Sequence, residues 1–188
     1  MPANEITVSE TTTFIETATF PTIITKIIEI TAEVTSEPLI TASAMEEINM
    51  YKNIKYDTYT NARFGCSIEY PSFFQRNPPP ANGDGLSFSC SDGAYFSLSG
   101  MNNALSHSLD EEYAFITKSI DVPIAYSAKK DNWFVVSYIE NNNIIYEKVF
   151  VGKTAINEFY IKYPKNLKSE YDGIITYIVK SFKHGKID

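Results

Sequence analysis

The sequence has few arginines and no long apolar run, and these are the features of nucleic-acid-binding and membrane-spanning segments. Its 188 residues include two arginines, Arg63 and Arg76, and the formal net charge is −7. Specific nucleic-acid binding normally needs a basic stripe, so this composition argues against it. No apolar run approaches the ~18 residues that a membrane-spanning helix requires. We therefore expect no nucleic-acid partner and no transmembrane segment.

Residues and motifs for catalysis are also scarce. The chain has two histidines: His107 precedes a predicted helix, and His184 lies in the C-terminal tail. Ser97-Leu98-Ser99-Gly100 lacks the G-x-S-x-G turn of serine hydrolases, and no glycine-rich phosphate loop follows a predicted strand. The cysteine and histidine counts match a tetrahedral zinc site, but no two of these residues are close in sequence. We predict no catalytic residue, no metal site and no cofactor.

Two enzymatic alternatives stay open. A cysteine, Cys66 or Cys90, beside His107 would provide a nucleophile and a base. Two strand glutamates that face each other would provide an acid and a base. We expect the strand glutamates to be solvated charges on a sheet face instead. They are Glu69, Glu140, Glu147 and Glu158.

The chain has only two cysteines, and each lies on a predicted strand. If those strands were neighbours, Cys66 and Cys90 would be candidates for a disulfide, which implies an oxidising compartment. The favoured interpretation is that both are small buried residues.

Glycine is absent from residues 1–42, whereas threonine recurs among isoleucine, valine and glutamate. High β-propensity without turn residues predicts an extended chain there. We interpret it as a spacer or tail that precedes the domain. The alternative is a strand that adds to a sheet edge, with residues 23–30 the most prone to pair. Residues 1–60 hold nine acids and three bases, so most of the negative charge lies in this part.

Residues 43–188 predict one α+β domain. Ser43-Ala44-Met45-Glu46 predicts a short first helix, and Ser108-Leu109-Asp110-Glu111 a second helix over 109–119. The spacing from Leu167 to Phe182 predicts a third, in which Gly173 would allow a close approach to the sheet. Runs rich in β-branched and aromatic residues predict eight strands. The runs are residues 55–60, 63–70, 86–90, 94–99, 122–128, 133–139, 144–151 and 156–163.

Short links join the last four strands. Parallel strands need a crossover of a dozen or more residues, so these links predict an antiparallel meander. The two main helices would cover this sheet and give an α/β/α sandwich. At the start of the domain, Asn61-Ala62 predicts a two-residue hairpin turn.

Residues 64–71, Phe-Gly-Cys-Ser-Ile-Glu-Tyr-Pro, resemble the "GFSIxYP" opening of small exported bacterial domains with a PsbP/Mog1-like fold. The spacing to Asp92-Gly93, to Trp133, to the segment 159–164 and to Ser181-Phe182 is similar, so the resemblance covers about residues 55–183. Cys66 stands where an aromatic residue is expected. The resemblance implies an antiparallel sheet between helices, an extracytoplasmic or lipoprotein setting, and non-enzymatic binding or accessory roles.

Together these features predict a non-enzymatic exported or surface-associated domain that binds a protein or a small ligand. Residues 1–4 lack the start of a signal peptide, so an export signal or a lipid anchor is expected upstream of this chain. The alternatives are a hydrolase and an intracellular accessory factor of the Mog1 type, which would bind a small GTPase. Six residues are predicted to form a partner-binding surface: Phe73, Phe74, Arg76, Trp133, Tyr138 and Tyr146.

Overall fold

The computed structural model describes residues 9–15, 25–31 and 50–188. The chain separates into two compact units, residues 1–42 and 43–188. In the first, β1 (Ser9–Ile15) pairs antiparallel with β2 (Thr25–Thr31), with Ser9 opposite Thr31. β2 includes most of the stretch 23–30 that the sequence marks for pairing. The helix expected from Ser43 lies outside the described residues, except for its end at Met50.

In the second unit, an α+β fold is confirmed. Its strands form a seven-stranded sheet in the order β5-β6-β7-β11-β10-β9-β8 and a separate hairpin, β3-β4. The hairpin strands are β3 (Tyr56–Thr60) and β4 (Ser67–Pro71). The sheet strands are β5 (Gln75–Arg76), β6 (Gly85–Ser89), β7 (Tyr95–Asn102), β8 (Ile124–Lys130), β9 (Trp133–Glu140), β10 (Asn143–Val151) and β11 (Ala155–Pro164).

The predicted meander is confirmed over β8 to β11, whose neighbours all pair antiparallel. The turn between β9 and β10 is formed by Asn141 and Asn142, with φ of 47° and 61°. Asparagine tolerates this left-handed region, and two consecutive positive φ values suit the twist of a tight hairpin. β11 then pairs with β7, which places a strand from the first half of the domain in the centre of the sheet.

The two predicted main helices lie on opposite sides of the sheet. α1 (Leu109–Thr117) follows β7 and packs on β9, and α2 (Lys168–Ser181) follows β11 and packs on β4 and β11. The capping box of α1 is formed: Ser108 and Glu111 bond each other's backbone N–H groups. A 3-10 turn, Lys165–Leu167, leads into α2. The α/β/α arrangement is therefore confirmed, with the β3-β4 hairpin beside α2.

The main hydrophobic core lies between the sheet and the layer of α2 and β3-β4. Aromatic rings fill it: Phe88 stacks on Phe96 at 4.3 Å between centroids, and Tyr163 stacks on Tyr171 at 4.8 Å. A smaller cluster lies under α1 on the other side of the sheet. There the helix packs against Phe134, Val136, Val149, Val151 and Ile156.

Three local predictions are wrong. The turn between β3 and β4 is not Asn61-Ala62, because Thr60 pairs with Ser67 and residues 61–66 form the loop. The buried Asn61 side chain accepts hydrogen bonds from the backbone of Arg63 and Phe64 and so holds this longer loop. Between the predicted strands 63–70 and 86–90, where the sequence predicts no strand, Gln75 and Arg76 pair with β6. Gly173 points away from the sheet, and a Cβ there would meet nothing within 4 Å.

No helix among the described residues is both long and apolar enough to cross a bilayer.

Candidate functional site

α1 covers only part of its side of the sheet. Strand register places a second group of side chains on the same side, beyond the apolar cluster under α1. We call this group the tyrosine face. It consists of Tyr95, Ser97, Ser99, Tyr138, Glu147, Glu158 and Tyr160. Its members are half-buried, except for the buried Glu147, and they belong to neither hydrophobic cluster. Half-buried polar and aromatic side chains are typical of a surface that contacts a partner.

Two glutamates lie in the middle of the tyrosine face. Glu147 on β10 is opposite Tyr160 on β11, and Glu158 lies two residues before Tyr160 on the same side. Burial raises the pKa of Glu147 to about 8, and the charges of Glu158 and Glu112 add to this increase. Burial, with a smaller contribution from Glu112, also raises the pKa of Glu158. These two residues are therefore not the fully solvated charges that the sequence predicts.

The N-terminus of α1 adds a third acid and a histidine. Glu112 is buried, and its Oε2 lies 2.7 Å from Nδ1 of His107. Asn103 fixes the loop before the helix, because its Nδ2 donates to the carbonyls of His107 and Gly152 at 2.9 Å. A depression of about 460 Å³ opens beside His107 and is lined also by Lys153. His107 is thus engaged by a carboxylate and not by a cysteine.

Cys66 and Cys90 are both free thiols, so a disulfide between them is not formed. Sγ of Cys66 lies 3.8 Å from the carbonyl oxygen of Ser99, which is opposite Gly85 at the start of β6. Cys90 follows the end of that strand, five residues after Gly85, or roughly 17 Å at strand spacing. A disulfide needs Cα atoms within about 7 Å. Burial raises the pKa of each thiol to about 11, which keeps both protonated at neutral pH.

Neither a cysteine–histidine contact nor a metal-binding cluster is found in the described part of the chain. The ring of His184 donates from Nδ1 to the carbonyl oxygen of Gly185, so its contact, too, is not a thiol. No three Asp, Glu, His or Cys side chains among the described residues are arranged to hold a metal ion. Of the other strand glutamates, Glu140 is exposed and Glu69 accepts a hydrogen bond from Tyr177.

The six residues predicted to bind a partner do not form one surface. Phe74 is only 4% exposed and packs in the core against Phe96. Its neighbour Phe73 is half-buried against Tyr51. The exposed Arg76 donates from Nε to the hydroxyl of Tyr70, so it ties β5 to the β3-β4 hairpin.

The three remaining residues divide between the two sides of the sheet. Trp133 and Tyr146 lie on the side of α2, where the ammonium of Lys148 is 5.1 Å from the Trp133 ring centroid. Tyr138 lies on the tyrosine face, since it is opposite Ile145, the neighbour of Glu147 on the same side of β10. Only Tyr138 of the six therefore belongs to the candidate site.

A second polar cluster, centred on Asp92, is not predicted from the sequence. The hydroxyls of Tyr51 and Tyr171 both donate to Oδ2 of Asp92, at 2.5 and 2.6 Å. Oδ1 of Asp92 accepts from the backbone N–H of Ala94. The carboxylate thus connects the start of the domain, the β6-β7 turn and α2. In the sequence Asp92 is recognisable only as a turn residue before Gly93, because its two partners are 41 and 79 residues away.

No family model and no curated protein matches this chain. Among solved structures, it is similar to cyanobacterial PsbP (CyanoP) from Synechocystis sp. PCC 6803, with a TM-score of 0.53. The fold is PsbP-like. The similarity covers 81% of this chain and 99% of CyanoP at 9% sequence identity, so it shows the fold alone. A protein from Bacteroides thetaiotaomicron VPI-5482 aligns over 70% of this chain and 48% of its own, at 14% identity and a TM-score of 0.42.

The PsbP-like fold confirms the resemblance drawn from the Phe64–Pro71 segment. In this fold that segment supplies β4 and four core residues, Phe64, Cys66, Ile68 and Tyr70, none more than 9% exposed. These residues pack into the main core, on the side of the sheet opposite the tyrosine face.

Proposed function

We propose that this protein is a non-enzymatic, extracytoplasmic binding domain that recognises its partner through the tyrosine face. The observation that supports this most directly is that a helix covers only part of one side of the central sheet. On the rest of that side, serine, tyrosine and glutamate side chains remain half-buried. Tyrosines are favoured in contact surfaces because they provide a large rigid area with a polar tip. The export setting rests on the sequence resemblance at residues 64–71.

Two further observations support a non-enzymatic role. Both thiols are protonated at neutral pH because burial raises their pKa, so neither is a ready nucleophile. The imidazole of His107 contacts Glu112, and that of His184 contacts a backbone carbonyl. A nucleophile needs a base within hydrogen-bond reach, and neither histidine contacts a nucleophilic side chain.

Site-specific photocrosslinking tests this proposal. A photoreactive amino acid at Ser97, on the β7 side of the tyrosine face opposite Tyr160, is expected to give one discrete adduct in the cells that produce the protein. The same group at Asp172, on the exposed side of α2, serves as the matched control. Adducts of equal yield at both positions, or none at Ser97, would show that this face does not bind a partner. Cell fractionation of the same samples tests the extracytoplasmic setting.

The second candidate is a hydrolase that uses a carboxylate pair, and one observation favours it. Glu147 keeps its proton near neutral pH, as a general acid must, and Glu158 lies on the same sheet face. A panel of glycoside and ester substrates would test this. Turnover that Glu147→Gln abolishes would replace the binding proposal.

A further inference from the structure

We propose that Glu147 and Glu158 form a binding site for an organic cation carrying a primary ammonium group, as found in a polyamine or in the lysine side chain of a partner. This inference rests on the proposed binding function and specifies the chemistry that the tyrosine face recognises.

The first step is the position of the two carboxylates. They project from adjacent antiparallel strands on the same side of the sheet, on one diagonal. Diagonal neighbours in such a pair are about 7–8 Å apart at the backbone, and long side chains bridge that distance. The two carboxylates are therefore within reach of a single group placed between them.

The second step is that Glu147 has no partner among the described residues. Its side chain is buried, at 7% exposure, yet no described group donates a hydrogen bond to it or forms an ion pair with it. Burial disfavours the ionised form of a carboxylate, so the group keeps its proton instead. A cation supplied from outside would offset the effect of burial and allow Glu147 to ionise.

The third step concerns the charged groups around the pair. From α1, Glu112 faces both glutamates but is paired with His107, and its charge raises the pKa of each. Lys129 of β8 is held by Asp110. The exposed Lys162 has its ammonium 5.6 Å from the Tyr95 ring. Each of these three groups thus has another described contact. Glu140 is exposed and negative, so it cannot neutralise the pair.

The fourth step is the aromatic surround. Tyr160 is directly opposite Glu147, and Tyr138 lies on the diagonal from Glu147 across β9 and β10. The charge of Glu147 helps to raise the pKa of both phenols. The faces of aromatic rings attract cations, and the attraction is stronger in a partly dry site. Two carboxylates with two aromatic rings suit an ammonium group. A divalent metal would need more oxygen ligands, and no such group of three is present among the described residues.

Isothermal titration of the full chain with spermidine tests the inference. Glu147 must lose its proton to pair with the ligand, so binding at pH 7 is expected to release a proton, seen as a heat that varies with the buffer. The affinity is expected to rise about tenfold or more from pH 6.5 to 8.5, through the pKa of Glu147. The second arm uses an acetylated tripeptide with a central lysine, and binding of this peptide in place of spermidine identifies a protein side chain as the ligand.

Variants decide whether the carboxylate pair is responsible. Glu147→Gln and Glu158→Gln are each expected to weaken binding about tenfold, and Asp172→Asn, the matching acid-to-amide change on α2, less than twofold. Circular dichroism checks that each variant is folded. Equal affinities for wild type and Glu147→Gln, or no binding of either probe, would overturn the inference. If the inference failed in this way, a discrete adduct at Ser97 would still support the proposed function. If the cation bound but no adduct formed at Ser97, only the proposed function would be overturned.

Discussion

At the scale of single residues, Glu147 shows how burial changes the chemistry of an ordinary side chain. On the sequence it is one of four strand glutamates, and nothing local distinguishes it from the exposed Glu140. The register of β10 between β9 and β11 places its side chain between those of Val136 and Tyr160 and near Glu112 of α1. Its burial is thus a product of non-local pairing, which is why it is not predicted from sequence.

We predict that Glu147 makes stability fall with rising pH. Its folded pKa, about 8, is above the unfolded value, so the native state holds an extra proton between about pH 4.5 and 8. The loss of stability is absent below pH 4.5 and complete above pH 8. Glu147→Gln should therefore gain about 1–3 kcal/mol over wild type at pH 8.5 and little at pH 4.5, measured by urea unfolding. A gain that is the same at both pH values would contradict this account.

The two thiols should differ in reactivity because their exposure differs. Cys90 is half-buried and Cys66 fully buried, and the pKa of each is raised to about 11. In a thiol titration of the native protein at pH 8, we expect one slow reaction, at Cys90, and a second only after unfolding. A mass increase on reduction of the untreated protein would reveal a disulfide and contradict the free thiols.

At the scale of elements, local signals were enough for the meander and for α1. The Asn141-Asn142 turn and the Ser108–Glu111 capping box act within a few residues of themselves, so both are predictable. The long β3-β4 loop is different. Asn61 holds it through backbone N–H groups but also donates to the carbonyl of Gly83, 22 residues away. This contact has no local signature.

The glycines of α2 and of the segment after it give a matched pair for mutation. Gly173 is exposed within α2, so Gly173→Ala should stabilise the domain by about 1 kcal/mol through helix propensity. Gly185 packs against Phe64, where an added Cβ would lie 1.7 Å from the backbone oxygen. Gly185→Ala should therefore destabilise the domain. Thermal unfolding of both variants measures this, and destabilisation by Gly173→Ala would show that Gly173 has a packing role after all.

At the scale of the whole molecule, the segment after α2 returns to the core beside the first hairpin. Lys183 bridges to Ser67 of β4, and the backbone N–H of Gly185 donates to the buried side chain of Asn157. Ile187 is 2% exposed and belongs to the main core. The segment thus packs on the domain, although the sequence predicts only a C-terminal tail there.

We predict that this packing contributes a large part of the stability. Ile187→Ala should cost about 2–5 kcal/mol, since a buried isoleucine loses its side chain and leaves a cavity. Lys186→Ala, at the exposed neighbour, should change stability by less than about 0.5 kcal/mol. Chemical denaturation compares the two variants. Equal small effects would indicate that the segment is not part of the cooperative unit.

The pairing of β7 with β11 has a consequence for how the chain is made. When the ribosome has completed β6 and β7, these two strands can form a hairpin. The inner edge of the hairpin, on β7, pairs with β11 only after α1 and strands β8 to β10 have been synthesised. During that interval Phe96 and Leu98, both 0% exposed in the finished domain, lack their final cover. The nascent chain therefore exposes this apolar hairpin until β11 is available, which makes the unfinished domain prone to aggregation.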